Sequence, residues 1–216
     1  MIGELDPVIL NELRRLRKVL PGEVTNIWTS QTWFAPSDGF VRACLSSGGG
    51  GGSSYCGGAS ALAFWRWRKI LKGQSLVFAL GAGGSYSSAT ATDGGRSTLT
   101  APWGVMTADP GKAGNVTSAP GGLSGTGADY YSQGGNGNSS SSGGALNPYC
   151  FPAASTLVSK FTTPPQGWLA VIDLKAVGNG GTTSIVPGPG GGGYANTNTG
   201  GGGAGFGIFE YCMAVA

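Results

Sequence analysis

The spacing of hydrophobic residues changes near residue 22, and this change divides the chain into two parts. In residues 7–20 apolar side chains recur every three or four positions, which indicates an amphipathic helix. From residue 24 onward, short apolar runs alternate with turns and glycine tracts, which indicates β-strands. We therefore predict two units: a helical segment over residues 1–22 and a glycine-rich β domain over residues 23–216.

The predicted helix carries an apolar seam. Asp6 suits the N-cap position, Pro7 suits the first turn, and the Pro21–Gly22 pair ends the helix. The seam consists of Ile9, Leu13, Leu16 and Leu20. Because this is heptad spacing and so short a helix is marginal alone, we predict that it self-associates in a short parallel bundle. Packing of the same seam on the chain's own β domain is the alternative.

The strand predictions follow the apolar runs between turn signals. They cover residues 24–29, 32–35, 40–45, 61–71, 75–80, 97–101, 156–162, 168–176 and 206–215. Residues 61–71 and 75–80 are predicted to form a hairpin around the turn at Gly73. In the first of these strands Trp65 and Trp67 alternate with Arg66 and Arg68. We expect the tryptophans to face the core and the arginines to stack on aromatic rings; a cationic-aromatic surface for sugars or an anionic polymer is the alternative.

Glycine tracts follow or precede most of these strands. Glycine accounts for 43 of the 216 residues, about three times its usual share. Such a composition is typical of disordered chains, but those have few aromatic residues and a high net charge. This chain is 10% aromatic, 40% hydrophobic and carries a net charge of +3, which favours an ordered fold. We predict that the tracts pack against one another as extended polyglycine II-like segments; flexible loops between strands are the alternative.

Three motifs combine strands with polyglycine in a fixed order along the chain. Residues 27–52 read IWTSQTWFAPSDGFVRACLSSGGGGG, two strands around a turn and then polyglycine. Residues 64–84 end in VFALGAGG, and residues 200–211 read GGGGAGFGIFEY, polyglycine before a terminal apolar strand. Together these motifs resemble the glycine-rich domain found at the ends of bacteriophage tail fibres and related tail proteins. The resemblance covers about residues 25–216, although residues 85–165 follow no pattern of the family.

The resemblance implies a mainly β fold, a small β-sandwich-like domain with packed glycine-rich loops. It also implies a non-enzymatic receptor-binding protein of a virion tail, an adhesin that recognises a bacterial surface glycan, pilus or outer-membrane protein. By the same analogy the partners are other tail proteins and identical copies, with a homotrimer favoured, and the helical segment over residues 1–22 would serve for oligomerisation or for attachment to a fibre. A purely structural tail or baseplate component without a receptor site is the alternative, and a glycan depolymerase is a third hypothesis.

The composition bears on chemistry and location. The chain has no histidine to act as a general base or metal ligand, so we expect no enzyme, metal site or cofactor. Cys44, Cys56, Cys150 and Cys212 form no CxxC pair, and we expect free thiols in a chain made in a cytoplasm. The two short basic clusters do not indicate nucleic-acid binding, and residues 1–20 show no signal peptide.

Aromatic residues in predicted loops are the candidate receptor contacts, because exposed aromatic side chains gain little unless they bind something. They are Tyr86, Trp103, Tyr130, Tyr131, Tyr149, Phe151 and Tyr194. Capping of the glycine packing is the alternative role for these rings. The segment between Tyr86 and Phe151 is rich in Gly, Ser, Asn and Tyr, a composition typical of binding loops. We therefore expect recognition to lie in these loops and not on the strands.

Overall fold

Strands account for the regular structure of the described chain. A computed structural model describes residues 23–115, 119–137, 193 and 201–213. The strands are β1 Glu23–Ile27, β2 Gln31–Phe34, β3 Gly39–Ser46, β4 Leu62–Ile70, β5 Ser75–Ala79, β6 Ser97–Ala101, β7 Gly104–Ala108, β8 Gly125–Thr126, β9 Tyr130–Ser132 and β10 Phe206–Met213. These ranges contain no helix. The predicted helix at 7–20 and the predicted strands at 156–162 and 168–176 lie outside the described residues.

The strands form two antiparallel sheets, which confirms the mainly β prediction. Sheet A has the order β1-β10-β3-β4-β9, and sheet B has the order β2-β5-β6-β7-β8. In sheet A the last strand, β10, lies between β1 and β3. The first and last described strands, β1 and β10, are therefore hydrogen-bonded neighbours in one sheet.

Alternating side chains of both sheets build one apolar core. On β3 the core residues are Val41, Ala43 and Leu45, which share one face of the strand. Across from them, Phe78 of β5 stacks on Phe209 of β10 with ring centroids 5.9 Å apart. Burial of this shared face, worth about 1.5–3 kcal/mol for each large apolar side chain, holds the two sheets together.

The predicted hairpin of residues 61–71 and 75–80 is wrong, although both strands exist. β4 pairs with β3 in sheet A, whereas β5 pairs with β2 in sheet B. The turn between them crosses from one sheet to the other, and Gly73 takes a φ of 80° there. The turn is secured by Gly73 N–H, which donates to the carbonyl of Ala35 at 2.8 Å. β4 and β5 each present large apolar side chains to the core. These side chains bury more surface when the two strands lie in facing sheets than when they are neighbours in one sheet.

The simple alternation predicted for the tryptophans of β4 is also wrong. A β-bulge between β3 and β4 leaves Arg42 opposite both Arg66 and Trp67. Trp65 is buried in the core as expected, but Trp67 is 42% exposed. The Arg42 guanidinium stacks on the Trp67 ring at 4.9 Å. The bulge shifts the register by one residue, so Trp67 lies on the face that Arg42 occupies and not in the core.

Candidate functional site

Extended glycine segments leave the two sheets at one end and pack together. We call their described parts the glycine bundle: residues 47–52, 57–61, 80–84, 92–96, 108–113, 119–124, 133–137, 193 and 201–205. Residues 48–51 run through its middle and are buried. Gly49 donates to Gly203 and accepts from Gly84, and Gly50 donates to Gly58 and accepts from Gly193. The hydrogen bonds of a sheet are thus replaced by bonds to several neighbouring segments.

The hydrogen bonds of residues 48–51 repeat every third residue. The N–H groups of Gly48 and Gly51 donate to the same neighbouring segment, at Gly95 and Thr92. The carbonyl groups of the same two glycines accept from another segment, at Gly111 and Gly114. Three residues per turn is the repeat of a polyproline II-type helix, which has no internal hydrogen bonds. Every backbone N–H and C=O of residues 48–51 therefore finds its partner in another segment.

Close approach, and not unusual dihedral angles, explains why these residues are glycine. Among the described glycines only Gly73, Gly104 and Gly127 have a left-handed φ. At Gly50 a Cβ atom would lie closer than 3.0 Å to the backbone of Lys112. Alanine occurs in the same tracts where no neighbouring backbone excludes a side chain, exposed at Ala82 and buried at Ala59. The tracts therefore act as a scaffold of touching backbones.

The far end of the glycine bundle brings three loops together, and we call it the tip: residues 53–56, 85–91 and 114–115. The carbonyl of Gly114 accepts from the N–H of Tyr55 at 3.2 Å. Asn115 bonds Ala91 twice, since its Oδ1 accepts from the N–H and its Nδ2 donates to the carbonyl, both at 2.9 Å. These bonds tie the loops to one another on a rigid base, which is the usual setting of a binding surface.

The charged pair nearest the tip, Asp93 and Lys112, connects two segments of the glycine bundle. Lys112 Nζ donates to Asp93 Oδ2 at 2.8 Å, and the N–H of Ala113 donates to Asp93 Oδ1 at 2.8 Å. Desolvation tends to raise the pKa of Asp93, but the bonds from Lys112 and Ala113 outweigh it and lower that pKa. The tip loops themselves carry hydroxyl, amide, thiol and phenol groups and no charged side chain. The tip therefore offers neutral hydrogen-bonding groups beside the half-buried rings of Tyr55 and Tyr86.

The structure separates the predicted receptor contacts into different places. Tyr86 lies in the tip, as predicted for a loop residue. Trp103 lies instead in the turn between β6 and β7, at the opposite end of the sandwich, with its ring 5.4 Å from that of Trp65. Tyr149, Phe151 and Tyr194 lie outside the described residues. Sequence reasoning missed Tyr55, although its place between two glycine tracts was a usable signal.

The loop placement of Tyr130 and Tyr131 is wrong, because both belong to strand β9 at the edge of sheet A. Tyr131 packs against the core, and its hydroxyl accepts from the N–H of Ala128 at 2.8 Å. Tyr130 lies under Arg66, whose guanidinium is 4.4 Å from the ring centroid. These rings complete the sheet edge, so the pair is not a free binding loop.

We expect Tyr131→Ala to lower the free energy of unfolding by about 2–3 kcal/mol, because it removes a ring packed on the core. Tyr131→Phe keeps the ring and loses only the hydrogen bond to Ala128, so it should cost about 1 kcal/mol. Urea unfolding measures both. Leu123→Ala, an exposed site, is the control and should stay within about 0.5 kcal/mol. A neutral Tyr131→Ala would show that β9 does not contribute to the core.

The described residues contain little reactive chemistry. Cys44, Cys56 and Cys212 are free thiols, and burial raises the pKa of the Cys44 thiol well above its usual range. Within these ranges no group of three or more acidic or thiol side chains is placed to hold a metal ion. No helix in the described part is long and apolar enough to span a membrane. No protein-family model matches this chain, and no curated protein matches it.

Proposed function

We propose that the chain is a non-enzymatic recognition module of a bacteriophage tail fibre or tail tip, which binds a bacterial surface through the tip loops. The observation that carries the proposal is the glycine bundle, which holds three loops together away from the sandwich. The three sequence motifs that resemble the tail-fibre domain supply strands and glycine segments of this scaffold. Neutral hydroxyl and amide groups beside tyrosines suit a glycan or an uncharged protein surface.

The packed polyglycine II-like arrangement is part of the same proposal. Its support is the three-residue repeat of hydrogen bonds around residues 48–51. A scaffold that is held by backbone contacts tolerates sequence change in the loops that it carries. Such tolerance is what a protein needs when its receptor varies between hosts.

Cell binding by the purified full chain tests this proposal. We expect the fluorescently labelled protein to bind particular strains in a panel with different surface glycans. Tyr55→Ala combined with Tyr86→Ala should weaken this binding about fivefold or more, because aromatic anchors carry much of the binding energy. Phe34→Ala is the matched control, since this exposed ring lies on β2 at the end of the sandwich remote from the bundle. It should bind like the wild type.

A structural tail component without a receptor site is the second candidate. It is favoured by Trp103, Tyr130 and Tyr131, which serve packing and not an open surface. Binding to no strain of the panel, together with incorporation into tail particles, would replace the recognition proposal with this one. Release of soluble saccharide from bound cells would support the depolymerase hypothesis instead.

A further inference from the structure

The outer face of sheet A, the side turned away from sheet B, contains a buried apolar patch. The residues of this patch are Cys44, Leu62, Phe64, Phe206 and Ile208, none more than 8% exposed. The largely buried Arg42–Glu210 ion pair borders the patch on the same face. They alternate along β3, β4 and β10 with core residues such as Ala43 and Trp65, so they lie on the opposite side of the sheet. Every described strand belongs to sheet A itself or to sheet B. Trp28, which follows β1, packs its ring 6.0 Å from that of Phe206, but no described strand lies over this face.

The burial of this face stops at a definite row of the sheet. Glu210 of β10 is buried, but in the next row of the same face Phe40 is 38% exposed and its pairing partner Cys212 is half-buried. β1 begins at Glu23, which lies opposite Tyr211, the residue after Glu210. The chain that precedes β1 therefore enters the sheet where the covered rows end.

The seam of residues 7–20 matches this face in position, length and polarity. The Pro21–Gly22 pair leaves only a short turn before β1. A helix over residues 7–20 is about 20 Å long, and the covered rows from Glu210 to Phe206 span about 13 Å. A helix that folds back at residue 22 would lie over these rows and leave the row of Phe40 and Cys212 open.

We propose that residues 7–20 fold back over sheet A and pack their apolar seam on its outer face within the same chain. The sandwich then gains a third layer, and the seam is used inside the chain and not in a bundle between chains. Burial of the apolar seam and of the apolar sheet face drives this packing. The inference is independent of the proposed recognition function.

Labelling of Cys44 with N-ethylmaleimide tests the proposal, because this thiol lies in the middle of the outer face. The full chain with Cys56→Ser, Cys150→Ser and Cys212→Ser leaves it as the single thiol. We expect slow labelling, which becomes at least tenfold faster with Leu13→Asp and Leu16→Asp. Asn11→Asp with Lys18→Asp, two aspartates on the opposite side of the helix, should leave the rate unchanged.

A thiol on the other side of β3 distinguishes local uncovering from unfolding. In the variant with Cys44→Ala and Ala43→Cys the thiol faces the core, and it should stay protected when the seam is changed. If both thiols become reactive, Leu13→Ala with Leu16→Ala gives the deciding comparison. That milder pair must raise the rate at Cys44 alone for the proposal to stand.

The other occupants predict different results. If Ile172→Asp with Leu174→Asp uncovers Cys44 and the seam variant does not, the predicted strand at 168–176 is the cover and the proposal is wrong. If labelling of the unchanged seam accelerates on dilution, in step with a falling mass in light scattering, a second copy is the cover. Slow labelling that survives every change to the seam also overturns the proposal.

Discussion

Gly50→Ala is expected to lower the free energy of unfolding by about 3 kcal/mol, the upper end of the range for overpacking. The new methyl group would press on the backbone carbonyl of Lys112. A backbone group cannot rotate aside as a flexible side chain can, so the neighbouring segment must move. Gly50 is also bonded to Gly58 and Gly193, so this movement would disturb two more segments. Thermal unfolding followed by circular dichroism, together with urea titration, measures the effect.

Gly201→Ala is the matched control for this experiment. It lies in another tract of the same bundle, but the nearest atom to its Cβ would be the carbonyl oxygen of Gly84 at 3.5 Å, an ordinary contact. Alanine there should be neutral or stabilising by about 0.4–1 kcal/mol, since it reduces the entropy of the unfolded chain. A higher melting temperature at both positions would reject the packed bundle and return the tracts to flexible loops.

Glu210→Gln is expected to lower the free energy of unfolding by about 3 kcal/mol. Arg42 Nε donates to Glu210 Oε2 at 2.7 Å, and Arg42 Nη2 donates to the same oxygen. Both side chains are largely removed from water, with 14% and 9% of their surfaces exposed. Desolvation lowers the pKa of Arg42, and the bond to Glu210 opposes this change. Loss of the carboxylate removes the opposite charge from a mostly buried guanidinium, which is a costly change.

A double variant and an exposed pair serve as controls. Arg42→Met with Glu210→Leu replaces both charges by apolar groups of similar size, so it should recover most of the lost stability. Arg96→Gln breaks the more exposed pair with Asp109, whose atoms are 3.2 Å apart, and should cost under about 1 kcal/mol. Equal losses for Glu210→Gln and Arg96→Gln would show that burial does not strengthen the Arg42–Glu210 pair.

The candidate site was predictable only in part. The Gly, Ser and Tyr composition correctly marks Tyr86 as a loop residue, and Tyr55 shares its surroundings of short polar residues. Tyr131 has similar sequence neighbours, yet it packs on the sandwich, as Trp103 does. A tyrosine flanked by Gly, Ser and Asp has the same local sequence pattern in a tip loop as in a short edge strand. Only the pairing of β9 with β4 decides between them.

The sequence by itself determined the local elements. Alternating apolar residues predict β3 and β6 close to their observed bounds, and the glycine tracts mark where the strands stop. These features follow from side-chain period and from the backbone freedom of glycine, which act over a few residues. Only the tertiary structure decided that β4 and β5 belong to different sheets, that a bulge turns Trp67 outward, and which segments surround residues 48–51. Those outcomes depend on contacts between residues far apart in the chain, whose energies no local pattern contains.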